Sequence, residues 1–303
     1  LTSSSLELAE CVAFIPDARS LVVTDTLIAN RQQAAHWNDA GGKTWVEMQD
    51  LLDRMLAPFE ARLTADAFPG EGGRVLDVGC GAGATTLAMA RRVGPDGRAL
   101  GVDISGPLVA AARARAGAED LRNAAFVEAD AQTHDFDPGG FDAVISRFGV
   151  MFFEDPAAAF ANIRRAVRPD GTLTFVAWRS PAENPFMISA ALAAAPFLPA
   201  MAPPEPNAPG QFGFADGDRV LRILQTAGWR EAKVAALDLR CEVAEADLMT
   251  YVTRMGPAGA VLRDADAATR AKVTEALETA FRPFVREGAA QFTAACWLVT
   301  ARA

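Results

Sequence analysis

Cysteine is scarce in this 303-residue chain, and the four present, Cys11, Cys80, Cys241 and Cys296, lie far apart with no CxxC pair. That spacing offers no zinc site and suits a reducing compartment. Basic residues are outnumbered: 29 Lys and Arg against 38 Asp and Glu give a net charge of −9 and a pI near 4.9. A polyanion would meet repulsion over most of such a surface, so nucleic acid is not the expected partner. The N-terminus lacks a basic-then-apolar leader, and no stretch reaches the ~18 uninterrupted apolar residues of a membrane span. The expectation is a soluble, cytoplasmic protein with no membrane partner. The most apolar segment, 186–202, is broken by Pro196 and Pro199 and reads as a buried or lid helix.

The chain is organised around Arg74 to Ala84. An apolar run with one acid, Asp77, breaks into Gly79, Gly81 and Gly83 before a helix-like stretch, TTLAMARRV. This reads as a buried strand, a tight turn and a helix N-terminus, where amides favour a charged small molecule. The glycines also satisfy the loose dinucleotide pattern. Asp77 discriminates, because a carboxylate beside the turn repels a pyrophosphate and welcomes an ammonium group.

Two more acids follow at strand ends. The second strand, 98–104, closes on Asp103 and Ile104; an acid there accepts hydrogen bonds from a ribose diol in either nucleotide reading. The third strand, 125–128, is followed by Asp130 and Ala131. Asp77, Asp103 and Asp130 thus stand at the carboxyl ends of three successive strands, the ligand edge of an open α/β sheet.

VLDVGCGAG resembles the first signature of the class I S-adenosylmethionine (SAM) methyltransferases. FDAVISRFGVMFFEDP, with Arg168 to Leu173 after it, is similar to the same block in the ubiquinone/menaquinone-biosynthesis type. The resemblance covers roughly residues 30 to 180. It implies SAM as cofactor, with Asp77, Gly79, Cys80, Gly81, Asp103, Ile104, Asp130, Ala131, Ser146 and Arg147 around it and Asp130 taking the adenine amino group. Arg147 departs from the His or small residue often found there. It also implies an α/β fold, a doubly wound seven-stranded sheet in the order 3-2-1-4-5-7-6, its last strand antiparallel, with helical lid insertions.

Upstream, a helical pattern over 29–63 is interrupted by Gly41-Gly42 and resembles the mobile segment that closes over SAM in many small-molecule methyltransferases. Trp37 and Trp45 would then line the pocket, or else serve as core anchors, and His36 is the candidate general base. Residues 1–28 carry apolar stretches that need burial; an extra strand, a loosely held arm and a subunit contact are all open, and the last, which the apolar content favours, would make a homodimer. The resulting division is an arm with cap helices (1–63), a cofactor-binding core (64–180), a proline-rich lid (181–215) and a C-terminal part (216–303) with a helical insertion at 245–288.

Methyl transfer from a sulfonium is an in-line displacement that needs alignment and exclusion of water, so a missing catalytic triad is no objection. The apolar lid favours a hydrophobic or aromatic small-molecule acceptor, though a lid is also apolar simply to pack. O-, N- and C-methylation stay open. The rivals are a SAM-binding regulatory or scaffold protein without turnover and an NAD-linked oxidoreductase, which Asp77 and Asp130 disfavour. A magnesium-assisted transferase lacks a compact ligand set beyond these acids, so no metal is expected.

Overall fold

The computed structural model describes residues 30–197 and 207–303. The arm at 1–28, Cys11 and the middle of the proline-rich lid lie outside the described residues. Eight strands form one sheet: β1 (Arg74–Val78), β2 (Arg98–Asp103), β3 (Ala124–Glu128), β4 (Phe141–Arg147), β5 (Val167–Trp178), β6 (Arg230–Ala244), β7 (Val285–Arg286) and β8 (Ala289–Arg302). Their order is β3-β2-β1-β4-β5-β8-β6, with β7 paired only to β8. The first five run parallel, and β8 lies antiparallel to both β5 and β6. The expected topology stands, with one correction: the two-residue β7 falls inside the stretch read as wholly helical.

Helices cover both faces: α1 (Arg31–Asn38), α2 (Ala40–Glu47), α3 (Gln49–Asp66), α4 (Ala84–Val93), α5 (Gly106–Ala118), α6 (Pro156–Ala166), α7 (Pro185–Ala194), α8 (Gly217–Thr226), α9 (Glu245–Arg254), α10 (Gly256–Asp264) and α11 (Ala267–Phe281). Strand alternation sorts the core. Val75 and Ile145 pack with Leu63 of α3 and Met89 of α4, whereas Leu76, Val78 and Val144 join the larger cluster on the other face. Asp77 and Arg147, each two residues beyond Val75 and Ile145, therefore belong to the α3/α4 side.

The β6–β8 ladder outruns the rest of the sheet. Past Trp178↔Cys296, the last β5 pair, it continues from Asp238↔Ala295 to Ala244↔Ala289, beyond the carboxyl edge of the parallel strands. Phe186 of α7 stacks on Phe292 of this extension at 3.8 Å and meets Phe281 of α11 edge-on at 5.1 Å. Exposed ion pairs, Arg54 to Asp247 at 3.0 Å and Arg254 to Glu47, tie α9 to α2 and α3.

The sequence places the interruption of the N-terminal helix at Gly41-Gly42. The helix instead breaks at Asp39 and again at Met48, and both glycines lie in the first turn of α2. A Cβ on Gly42 would stand 1.9 Å from the Trp37 carbonyl oxygen and 2.9 Å from Ser105 Oγ. Close packing, not hinge freedom, requires glycine there.

Candidate functional site

The glycine turn is built by backbone bonds to β2. The Gly79 and Cys80 amides donate to the Val102 carbonyl at 2.8 and 3.1 Å, and Gly81 N–H donates to Asp103 Oδ2 at 2.8 Å. Gly79 has φ +67°, and a Cβ there would lie 2.5 Å from Gly149 Cα. Gly149 arrives so close because Phe148, itself at φ +63° and stacked on Trp178 at 4.5 Å, turns the chain sharply after β4. Two backbones thus touch at the carboxyl ends of β1 and β4, beside the uncapped N-terminus of α4.

Asp77 is fully buried, and its Oδ2 accepts both Thr85 Oγ1 at 2.5 Å and Thr86 Oγ1 at 2.6 Å from the first turn of α4. Its Oδ1 has no partner among the described residues. Burial pushes this carboxyl up to about 6, against the lowering pull of the two threonines and of Arg147. Asp103 is half-buried, and besides Gly81 it accepts Ser105 N–H at 2.9 Å; burial raises its pKa as well. Asp130 accepts Gln132 N–H at 2.9 Å and the Asn30 carboxamide through both oxygens at 2.9 Å.

Asn30 and Asn38 bracket α1. Asn38 donates to the Ile104 carbonyl at 2.9 Å and accepts Gly106 N–H at 2.8 Å, while Ser105 Oγ donates to the Trp37 carbonyl at 2.6 Å. Helix α1 is thereby strapped from the loop after β3 to the loop after β2. Trp37 and Trp45 are half-buried and meet edge-on at 5.7 Å, with Phe152 5.5 Å from Trp37. Trp45 Nε1 lies 4.0 Å from where a Cβ on Gly81 would stand, so this ring lies against the glycine turn. Of the two readings for the tryptophans, the geometry allows lining and packing at once. His36 is exposed, edge-on to Trp37 at 5.1 Å, with no hydrogen bond to any strand-end residue.

Arg147 is nine-tenths buried at the end of β4, with Nη2 3.3 Å from Asp53 Oδ1 of α3 and Nη1 unpartnered. Asp53 is shared: its Oδ2 lies 2.9 Å from Arg115 Nη2. Gln49 Oε1, one turn earlier on α3, is also buried without a partner. Of the five such atoms among the described residues, four belong to the residues just described: Gln49 Oε1, Asp53 Oδ2, which has the ion pair to Arg115 but no hydrogen bond, Asp77 Oδ1 and Arg147 Nη1.

Two further expected contact residues have structural partners in the fold. Ser146 is fully buried and its Oγ accepts Gly149 N–H at 3.1 Å, so the hydroxyl shapes the turn after β4. The Cys80 side chain packs inward, where a Cβ on Gly101 would stand 2.8 Å from its sulfur, and only its backbone forms the turn. Ala131 is buried, and its carbonyl accepts the Asn162 side-chain amide at 3.0 Å. Reading the sequence missed Asn30, Asn38, Gln49, Asp53, Thr85 and Thr86. Only the threonines carried a local signal, standing at the helix start directly after the turn.

A polar turn with unpaired acceptors and a buried guanidinium can hold a zwitterionic small molecule, and its acids do not suit a pyrophosphate. Residues 75–171 match the family described as "Methyltransferase domain". Over 116 residues the chain is 37% identical to the nocamycin O-methyltransferase of Saccharothrix syringae, covering 38% of this chain and 41% of that protein. It is 32% identical over 142 residues to the demethylmenaquinone methyltransferase of Thermus thermophilus, covering 45% and 64%. The chain spans about half the length of the curated relatives it matches. The YcgJ protein of Bacillus subtilis shares the fold, with a TM-score of 0.54 at 17% identity over 81% of this chain and 98% of that one. Residues 75–171 of this chain thus match a methyltransferase domain.

Proposed function

We propose that the whole chain transfers the methyl group of SAM to a nucleophile on a small hydrophobic or aromatic molecule. The observation that carries this reading is Asp77 Oδ1, a buried and unpartnered carboxylate oxygen under a glycine turn, which an ammonium group satisfies and a pyrophosphate does not. In this reading Asp77 serves the amino-acid end, Asp103 the ribose hydroxyls and Asp130 with the Ile104 loop the adenine. Net charge −9 favours a small acceptor over a polyanion.

The bound cofactor supplies a methyl group on a sulfonium, already activated for displacement. The protein's part is alignment and dryness: the Gly79–Gly149 contact fixes the platform, and Trp37, Trp45 and Phe152 exclude water. His36 is exposed on α1, and in this reading it serves as general base only where the acceptor's nucleophile carries a proton. The 64–180 core binds cofactor, and α7 with the helices of 245–288 on the protruding β6–β8 ladder caps the acceptor. The half-buried Met187 and Tyr251, packed beside the fully buried Phe186, support an apolar acceptor.

Calorimetry with SAM, S-adenosylhomocysteine and NAD tests the cofactor. Release of S-adenosylhomocysteine on adding phenolic or carboxylic apolar compounds tests turnover. Tight NAD binding without S-adenosylhomocysteine binding overturns the reading; cofactor binding without turnover on any acceptor class leaves the regulatory rival in its place.

A further inference from the structure

Asp130 is taken by a side chain of its own protein. Asn30, only 3% exposed, holds Nδ2 at 2.9 Å from each carboxylate oxygen, equidistant between them. The Gln132 N–H takes a further position on Oδ1, and Gln132 Oε1 lies 3.4 Å from the same Nδ2 while it accepts Asp155 N–H at 3.1 Å. A reciprocal pair supports the contact. Asn30 N–H donates to Glu154 Oε2 at 3.0 Å, and Asn30 Oδ1 accepts Glu154 N–H at 2.8 Å. From there α1 runs to the loop after β2, where Asn38 and the Trp37 carbonyl tie its other end. The helix thus crosses the carboxyl edge of the sheet from β3 to β2, the interval that the adenine reading assigns to the base.

A carboxamide NH2 and the exocyclic amine of an adenine are the same kind of donor, neutral and planar with two N–H groups. Both suit one carboxylate, and the position between its oxygens holds only one of them. We propose that Asn30 is an internal competitor of the adenine amino group, so that a ligand reaches Asp130 by displacing Asn30 and loosening the start of α1, while the Asn38 end stays tied. The inference rests on the SAM reading and adds a regulation of the same site. The apparent affinity for any adenine ligand is lowered to the fraction of molecules in which this latch is open. Cofactor and product carry the same base, so re-forming the Asn30–Asp130 contact also helps to expel the product.

Calorimetry on the full chain with S-adenosylhomocysteine and 5′-methylthioadenosine reads the competition. Asn30→Ala should bind both probes more tightly than wild type, each by roughly tenfold, the scale of a hydrogen bond to a charged group. Similar gains locate the competition at the nucleoside, because only the first probe carries an amino-acid end. Glu154→Ala removes one bond of the latch and leaves Asp130 intact; it should tighten both by on the order of threefold and keeps the inference testable if Asn30→Ala fails to fold. In wild type, S-adenosylhomocysteine should speed amide exchange at 34–36 while the Gly106 amide, held by Asn38, keeps its protection. Unchanged or weaker binding of both probes by the folded variants overturns the latch, as does a gain confined to S-adenosylhomocysteine or an exchange rate at 34–36 that ligand does not raise. Failure of wild type and both variants to bind either probe overturns the cofactor reading itself.

Discussion

Asn30 donates its carboxamide to both oxygens of Asp130 at 2.9 Å, while its own side-chain oxygen accepts the Glu154 N–H at 2.8 Å. Glu154 returns the exchange by accepting Asn30 N–H at 3.0 Å. This reciprocal set fixes the start of α1, whose first residues have no side-chain cap of their own. Asn30→Ala should raise amide exchange over 31–38 by roughly tenfold, the loss of one charge-assisted bond. Exchange across α3 should not change. Asn30→Asp should act more strongly, since two carboxylates would face each other. Hydrogen-exchange mass spectrometry on the ligand-free protein decides it, and unchanged protection in both variants would show that the pin contributes nothing.

Asp77 makes stability depend on pH. Its carboxyl, at about 6 in the fold against 3.8 as an ordinary acid, binds more protons in the native than in the unfolded state between those values. Stability therefore falls as pH rises through that window, by ~3 kcal/mol from this group once it is fully ionised. Denaturation at pH 4 and pH 7 should show this decline in wild type and a flatter profile in Asp77→Asn. S-adenosylhomocysteine affinity should run the other way, weakening below about pH 6 as Asp77 protonates, with that dependence absent in Asp77→Asn.

Asp103→Ala removes more than a ribose acceptor. Gly81 N–H and Ser105 N–H both end on this carboxylate, so the variant should lose ~1–3 kcal/mol of cofactor affinity and a comparable share of stability. Calorimetry and thermal melting read the two losses separately. Lowered affinity with an unchanged melting temperature would mean that the turn does not depend on Asp103.

Gly79→Ala should be among the most damaging single substitutions in the core domain. The new Cβ would sit 2.5 Å from Gly149 Cα at a backbone φ of +67°, combining a clash between main chains with left-handed strain. A loss of ~3 kcal/mol or more is expected. Gly94→Ala, at φ +74° and ψ −180° but with open space around it, should cost less, ~1–3 kcal/mol from backbone strain alone. Urea denaturation of the pair separates crowding from strain, and equal losses would contradict the close approach.

Local chemistry determined much of this protein before any tertiary contact was known. The run VLDV breaking into glycines marks strand, turn and helix because positive φ and backbone approach are properties of a few adjacent residues. Asp77, Asp103 and Asp130 were legible as a set because each follows its own apolar run, and parallel strands bring such ends to one edge. The 3-2-1-4-5 order and the antiparallel return came from that same succession of runs together with the family resemblance. What the side chains do there was decided only in three dimensions. Asp130 meets Asn30 from 100 positions away and Arg147 meets Asp53 from 94, and no periodicity carries such pairings. Gly41-Gly42 read as a hinge because glycine permits freedom and close packing alike, and only the Trp37 carbonyl and Ser105 beside Gly42 show which one applies. Ser146 shared its place at a strand end with Arg147. Strand alternation and the turn at Phe148 closed its hydroxyl onto Gly149 and left the guanidinium with a donor unmet. A strand end brings residues to the crevice, but the packing around each side chain decides which polar atoms remain available to a ligand.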